Sequence, residues 1–287
     1  MMIASRLAGR AGRRVGGLPS RLRRLYCTED ERTLVVNHEG GGIATVSLSS
    51  RPVNSLTKAM CDELVEVTRE LEDDPNVRGM RLTSAVPNIF SAGLDLKSMH
   101  GKTDDELAVF WTSVQEMWLA LYMTPLATVA SISGHAPAGG CILALSCDYR
   151  VMVEGKFRIG LNESQIGIVA PKWLSRMLVD TVGMRPAERM LQLGSLLSPD
   201  DAKGVGLIDE VVPLHKLPGA SADALEGLLA INPNARSAVK RQLRSAAADA
   251  LRANQSEDLD DFIQVVQQPE VQVMLGEYIE SLGKKKK

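Results

Sequence analysis

The sequence predicts an α/β core followed by a C-terminal helical region, and three observations carry that prediction. Short β-branched runs alternate with segments of helical apolar period from residue 33 to about residue 212. Gly and Pro punctuate the changes between them, and beyond Pro213 the helical period continues without further strand signals. With 287 residues and 45% hydrophobic content, the chain can bury a sizeable core. That content, with a net charge of −2, excludes an intrinsically disordered chain. No run approaches the roughly 20 continuous apolar residues of a membrane span.

Each element has a local reason. Thr33–Asn37 and Ile43–Ser49 favour β-branched residues with alternation, and Gly40-Gly41-Gly42 between them makes a hairpin. Leu56, Met60, Leu64, Val67 and Leu71 recur at helical spacing before Pro75, which predicts a helix over 56–71. A strand at Arg78–Thr83 leads into a loop at Ser84–Ala92, and an amphipathic helix covers Asp104–Met123 before Pro125. Ala127–Ile132 reads as a buried strand, Gly134–Ala138 as a turn, Gly139–Cys147 as a helix of small and apolar residues, and Tyr149–Val153 as a strand. Helices follow at Lys172–Val182 and Pro186–Leu193, then a strand at Leu207–Val212. In the tail, Ala235–Arg252 and Asp258–Leu282 are the clearest helices. The organisation is therefore an address at 1–28, a core at 29–215 and a helical region at 216–287.

The address rests on charge. Residues 1–28 hold seven arginines (Arg6, Arg10, Arg13, Arg14, Arg21, Arg23, Arg24) and no acid, which leaves −9 for the remainder. Arginine-rich, acid-free and amphipathic when helical, this segment reads as a mitochondrial transit peptide; arginines interrupt every window that would serve as a secretory apolar core. The acidic body argues against a nucleic-acid partner. Cys27, Cys61, Cys141 and Cys147 form no C-x-x-C pair and, with the four histidines, no zinc-like spacing, so no metal is expected.

Three segments place backbone donors or a carboxylate at strand ends: Phe90–Leu96, Ser133–Cys141 and Ile159–Gly167. Gly139-Gly140 at a helix start leaves unshielded N–H groups in a region of positive potential, and the Gly93 turn presents the Leu94 N–H in the same way. Two such donors on one carbonyl make an oxyanion hole. A Gly-Gly turn equally serves close packing of a helix on a sheet. Glu163 stands among Ile159, Leu161, Ile166, Ile168 and Val169, where lost hydration raises a carboxyl pKa towards values useful for proton transfer. An isolated Glu there is otherwise a helix cap or a solvent-facing acid. The apolar face Phe110, Trp111, Val114, Met117, Trp118 and Leu121 suits an acyl channel or plain core.

Taken together and in this order, Phe90–Leu96, Pro137–Cys141, Cys147–Arg150 and Ile159–Glu163 with Ile168–Pro171 resemble the crotonase (enoyl-CoA hydratase/isomerase) superfamily over roughly residues 33–215. The resemblance implies a crotonase fold, a repeated ββα superhelical core with a C-terminal helical oligomerisation region. It implies backbone oxyanion donors at Leu94 and Gly139, a general base at Glu163, and substrate contacts from Ala92, Gly93, Leu94, Asp95, Leu96, Gly139 and Asn162. The partner implied is an acyl-CoA thioester, and Lys97 is one source of a cation for its phosphates. CoA is part of the substrate, and no separate cofactor is implied. The hydratases of the family use a second glutamate at the position that is Ile142 here, so the pattern implies the isomerase branch, which moves the double bond of a 3-enoyl-CoA to position 2. The remaining implications are a homotrimer and the mitochondrial matrix. Other crotonase-type chemistry (hydration, dienoyl-CoA isomerisation, thioester hydrolysis) and a non-enzymatic RNA-binding role are the competing expectations.

Overall fold

The hairpin forms first: β1 (Leu34–Glu39) and β2 (Ile43–Leu48) pair antiparallel, with a 3-10 turn at Gly40–Gly42 in which Gly41 takes φ +74°. The computed structural model describes residues 33–284. The basic segment 1–28, with Cys27, and lysines 285–287 lie outside the described residues. From β2 onward the chain repeats one unit: a long strand, a short strand, then a helix. β2 is followed by β3 (Ser55–Leu56) and α1 (Lys58–Asp73). β4 (Gly79–Ser84) is followed by β5 (Asn88–Ile89), β6 (Gly93–Leu94) and α2 (Asp104–Met123). β7 (Ala127–Ile132) leads to β8 (Gly134–Pro137) and α3 (Gly139–Ser146), and β9 (Tyr149–Val153) leads to β10 (Ile159–Gly160) and α4 (Lys172–Val182). This is the expected ββα repetition.

The long strands build a six-stranded sheet, ordered β1-β2-β4-β7-β9 and then β11 (Glu210–Val212), parallel except for the first pair. The short strands build a separate three-stranded parallel sheet, β10-β8-β5, and the parallel pair β3-β6. All six residues of β7 are buried, as a central parallel strand covered on both faces requires. Ala127 and Val129 pack with Leu217 and Leu225 of α7 (Leu217–Leu229), while Ala130 and Ile132 point to the main core.

α2 starts at a capping box, in which the Thr103 side chain accepts from the Glu106 N–H and the Glu106 side chain accepts from the Thr103 N–H. α5 (Met184–Leu193) and the short α6 (Pro199–Gly204) lead to β11. The C-terminal region comprises α7, α8 (Pro233–Ala253), α9 (Gln255–Val266) and α10 (Pro269–Lys284). Among the described residues, no helix is long and apolar enough to cross a membrane.

Four expectations need correction. The helix expected over 56–71 begins at Lys58, because Leu56 is spent in β3, paired with Leu94. The turn expected at Gly134–Ala138 is strand β8, sandwiched between β5 and β10; a Cβ on Gly134 would lie 2.0 Å from the Asn88 carbonyl carbon, so glycine here serves close backbone approach. The strand expected over 207–212 is only Glu210–Val212. The single helix expected over 258–282 is two helices, because Pro269 lacks the N–H an uninterrupted helix needs and instead opens α10.

Asp148 ties the helical region to this frame. Its Oδ2 accepts the Thr128 N–H at 2.9 Å, and Lys240, Arg244 and Arg236 of α8 approach the carboxylate at 2.9, 3.1 and 3.7 Å. The same cations donate to backbone carbonyls at helix C-terminal ends: Arg244 to Tyr122 and Ser146, and Lys240 to Leu126 just beyond α2. Positive charge is favourable there, because unpaired carbonyls leave a partial negative charge. Burial lowers the Lys240 pKa to about 8 despite its carboxylate partner.

Candidate active site

The loop from β5 to β6 is held from beneath by a buried asparagine. Asn54, with φ +51°, donates from Nδ2 to the Phe90 carbonyl at 3.0 Å and to Ser84 Oγ at 2.8 Å, and its Oδ1 accepts the Ser50 N–H. Ser91 Oγ donates back to the Asn54 carbonyl at 2.7 Å and accepts the Gly93 N–H. Asp95 donates its N–H to the Leu56 carbonyl at 3.2 Å. Neighbouring N–H groups of a strand point to opposite sides, so the Leu94 N–H turns away from β3. The Leu94 nitrogen lies beside the start of α3.

That start is a tight corner. Ala138 closes β8 with φ +47°, a conformation that strains any residue with a side chain, and Gly139 is the first residue of α3. The N–H of a first helical residue has no partner within its helix. Gly140 lies against the loop: a Cβ there would meet the Ser91 carbonyl oxygen at 2.4 Å. A Cβ on Gly139 would lie 3.1 Å from the Leu94 nitrogen and 2.7 Å from Leu56 Cδ1. The backbone at Leu94 and Gly139 therefore comes into close contact because Gly93 and Gly139 carry no side chain there.

Glu163 comes from the third segment, a 3-10 turn at Glu163–Ile166 that Gly167 ends in the left-handed conformation, φ +73°. The Ile168 N–H donates to the Glu163 carbonyl at 3.1 Å, fixing the turn. Oε2 of Glu163 is wholly buried and has no hydrogen-bond partner. Removal from water without a partner raises the carboxyl pKa to about 7, opposed only by the residue's own N–H. The sequence expectation for this group agrees in direction and cause.

A cavity of about 350 Å³ brings these parts together. Among the expected site residues, Ala92, Leu94, Leu96, Asn162 and Glu163 line it, with Ala138 of the Gly139 corner; Gly93 is buried behind them. Asp95 instead binds its own turn, accepting Ser98 Oγ at 2.8 Å, and Lys97 is exposed outside the lining. Ile142 lines the cavity at 1% exposure. Of the apolar face on α2, only Trp111 reaches the cavity; its other five residues are core.

His135 is half-buried, its ring edge-on to Phe157 at 5.2 Å, and its carbonyl accepts the Phe90 N–H. Its part is structural. Among the described residues, no group of three or more His, Cys, Asp or Glu is arranged to hold a metal ion. Sequence reasoning missed Asn54, which carries no motif, and the roof of the cavity: Phe262, Gln264 and Val265 of α9 and Tyr278 of α10. A Cβ on Gly167 would meet Met274 at 2.2 Å, so α10 presses directly on the Glu163 turn.

The fold and these converging loops define the class: the chain belongs to the enoyl-CoA hydratase/isomerase family, whose model matches residues 38–286. Within it, the chain is similar to mitochondrial enoyl-CoA delta isomerase 1 of Mus musculus, at 43% identity over 258 residues covering 90% of this chain and 89% of the relative. The human protein of the same name is 41% identical over 257 residues, covering 89% and 85% respectively. The crystal structure of human mitochondrial delta3-delta2-enoyl-CoA isomerase superposes with a TM-score of 0.88 at 40% identity, over 89% of this chain and all of that one. A Bacillus halodurans enoyl-CoA hydratase shares the fold, with a TM-score of 0.78 at 21% identity over 86% of this chain and all of that one.

Proposed function

We propose that this protein is an isomerase that converts 3-cis- or 3-trans-enoyl-CoA to 2-trans-enoyl-CoA by a one-base proton shuttle. The observation that carries the mechanism is Glu163: a carboxyl whose Oε2 is buried without a hydrogen-bond partner and whose pKa is about 7, in one cavity with Leu94 and with Ala138 beside Gly139. The thioester oxygen sits between the N–H groups of Leu94 and Gly139. Glu163 takes a proton from C2, giving a dienolate whose charge the two donors stabilise. The protonated Glu163 then returns the proton to C4, and the double bond moves from C3–C4 to C2–C3. Electrons move only within the substrate, so the step calls for neither a redox cofactor nor a metal.

General acid–base catalysis supplies about 10²–10⁴-fold. Each oxyanion donor supplies a further factor of about 10²–10³. Ile142 can neither position water nor exchange protons, which favours isomerisation over hydration. Ala92, Gly93, Leu96 and Asn162 shape the surroundings of the thioester, with Asp95 bracing their loop.

The test is turnover of 3-trans-hexenoyl-CoA by wild type and Glu163→Gln, following both 2-enoyl and 3-hydroxyacyl products. The reading requires a 2-enoyl product from wild type with little hydration, and at least a 10²-fold loss in the variant. A variant that keeps most of the activity removes Glu163 as the base.

A homotrimer in the mitochondrial matrix belongs to the same proposal. Supporting the assembly, Val239 and Leu243 on α8 are 56% and 73% exposed, one turn apart. A monomeric mass by light scattering would overturn it. The compartment is supported by the mitochondrial relatives and the arginine-rich segment 1–28. Protease protection of the imported full chain checks it.

A further inference from the structure

Behind the active-site cavity lies a second cavity of about 470 Å³, floored by Trp173, Ala247 and Leu251 and edged by charged residues including Arg176 and Glu257. The two cavities share Lys172, Asp258 and Asp261 in their linings. What separates them is aromatic. Trp111 faces the first cavity and Trp173 the second, with ring centroids 6.1 Å apart. Trp111 also stacks on Phe262 at 4.0 Å with an interplanar angle of 6°.

One carboxylate holds both indoles. Asp258 Oδ2 accepts the Trp111 Nε1–H at 2.8 Å and the Gln115 Nε2–H at 2.7 Å, and its Oδ1 accepts the Trp173 Nε1–H at 3.0 Å. Three donors from α2 and α4 thus converge on one residue of α9. A residue needed only to solubilise its helix would not gather buried donors in this way, since a buried polar group left unpaired is costly. We propose that Asp258 is a positioning residue that fixes Trp111 and Trp173 as a wall between the cavities, and that this wall sets the upper limit of acyl-chain length. The inference rests on the acyl-CoA reading of the Glu163 cavity. It names the group that decides how much acyl tail the cavity admits.

Burying one more methylene strengthens binding about fourfold, so opening the wall to two further carbons favours a long substrate over a short one by about fifteenfold. The experiment compares wild type, Asp258→Ala, Trp111→Phe and Trp173→Phe. It measures kcat/KM for 3-trans-hexenoyl-CoA and 3-trans-dodecenoyl-CoA, and Kd by calorimetry for hexanoyl-CoA and dodecanoyl-CoA. The expected result is a long-to-short ratio raised about fifteenfold in Asp258→Ala and severalfold in each Trp→Phe variant, which loses one hydrogen bond to Asp258 but keeps an aromatic ring.

A purely structural Asp258 would lower both substrates together and leave the ratio within twofold, and that result overturns the proposal. Should Asp258→Ala fail to fold, the two milder variants decide it on the same ratio. If wild type does not turn over hexenoyl-CoA, the isomerase reading fails while the Kd ratios still test the wall. If no acyl-CoA binds, both fall.

Discussion

Gly93 and Gly139 face each other across a gap that admits no side chain: a Cβ on Gly93 would lie 2.9 Å from the Gly139 nitrogen, and one on Gly139 would lie 3.0 Å from the Gly93 Cα. Gly93 also takes φ +92°, which other residues rarely adopt. Two segments 46 positions apart in sequence are thereby brought to backbone contact, as the proposed oxyanion hole at Leu94 and Gly139 requires.

Gly139→Ala is expected to separate those donors. The added methyl must displace Leu56 or push the Leu94 strand away, because it would stand 2.7 Å from Leu56 Cδ1 and 3.1 Å from the Leu94 nitrogen. The expected loss in kcat is about 10²–10³-fold, the effect of one misplaced oxyanion donor. Steady-state kinetics on a folded variant checks it, and a loss below threefold contradicts the geometry.

The pH profile of kcat/KM should follow Glu163. As the proposed base, Glu163 must be ionised in the free enzyme, and its pKa stands at about 7. Activity should therefore rise about tenfold per pH unit below that value and level off above roughly pH 8. A limb near pH 4.5 would mean that the carboxyl is not desolvated in solution.

The same group makes a statement about stability. Its folded pKa of about 7 lies above the ordinary 4.5, so between those values the folded chain holds more protons than the unfolded one. Stability from this group is complete below pH 4.5 and is lost as pH rises through 7. Glu163→Gln removes the buried charge, and the variant should be more stable than wild type at pH 8, by on the order of 2–3 kcal/mol, and not at pH 4.5. Urea unfolding at the two pH values measures this, and equal differences at both would count against it.

Asp148 offers a test of the frame. Asp148→Ala strands Lys240, which is 6% exposed at its side chain, beside Arg244 without their shared carboxylate. The expected destabilisation is about 3–5 kcal/mol. Adding Lys240→Met should recover a substantial part, because the penalty lies in the unpaired charge. A purely additive double variant would show that the two residues do not act as a pair.

Much of this was legible because it is local. The helices Asp104–Met123 and Lys172–Val182 and the strands Ala127–Ile132 and Tyr149–Val153 have the bounds read from periodicity, each set by its own apolar pattern with Pro or Gly beside it. The short strands were not legible. Ser55–Leu56, Asn88–Ile89 and Ile159–Gly160 are two residues each, too short for any period, and exist only because distant partners pair with them. The Glu163 environment was readable from its apolar neighbours, whereas Asn54 and the roof residues Phe262, Val265 and Tyr278 were not. Their contribution depends on where α9 and α10 fold back, which no pattern in those helices announces.

That roof has a consequence for the order of events in making the protein. Leu94, Ala138 and Glu163 leave the ribosome early, but the cavity they share is lined on its far side by Phe262, Gln264, Val265 and Tyr278. At about 5–20 residues per second, on the order of ten seconds separate synthesis of Glu163 from synthesis of its cover. Throughout that interval Glu163 lacks part of the enclosure whose burial raises its pKa. The cavity around Glu163 is therefore complete only once the last helices have been made.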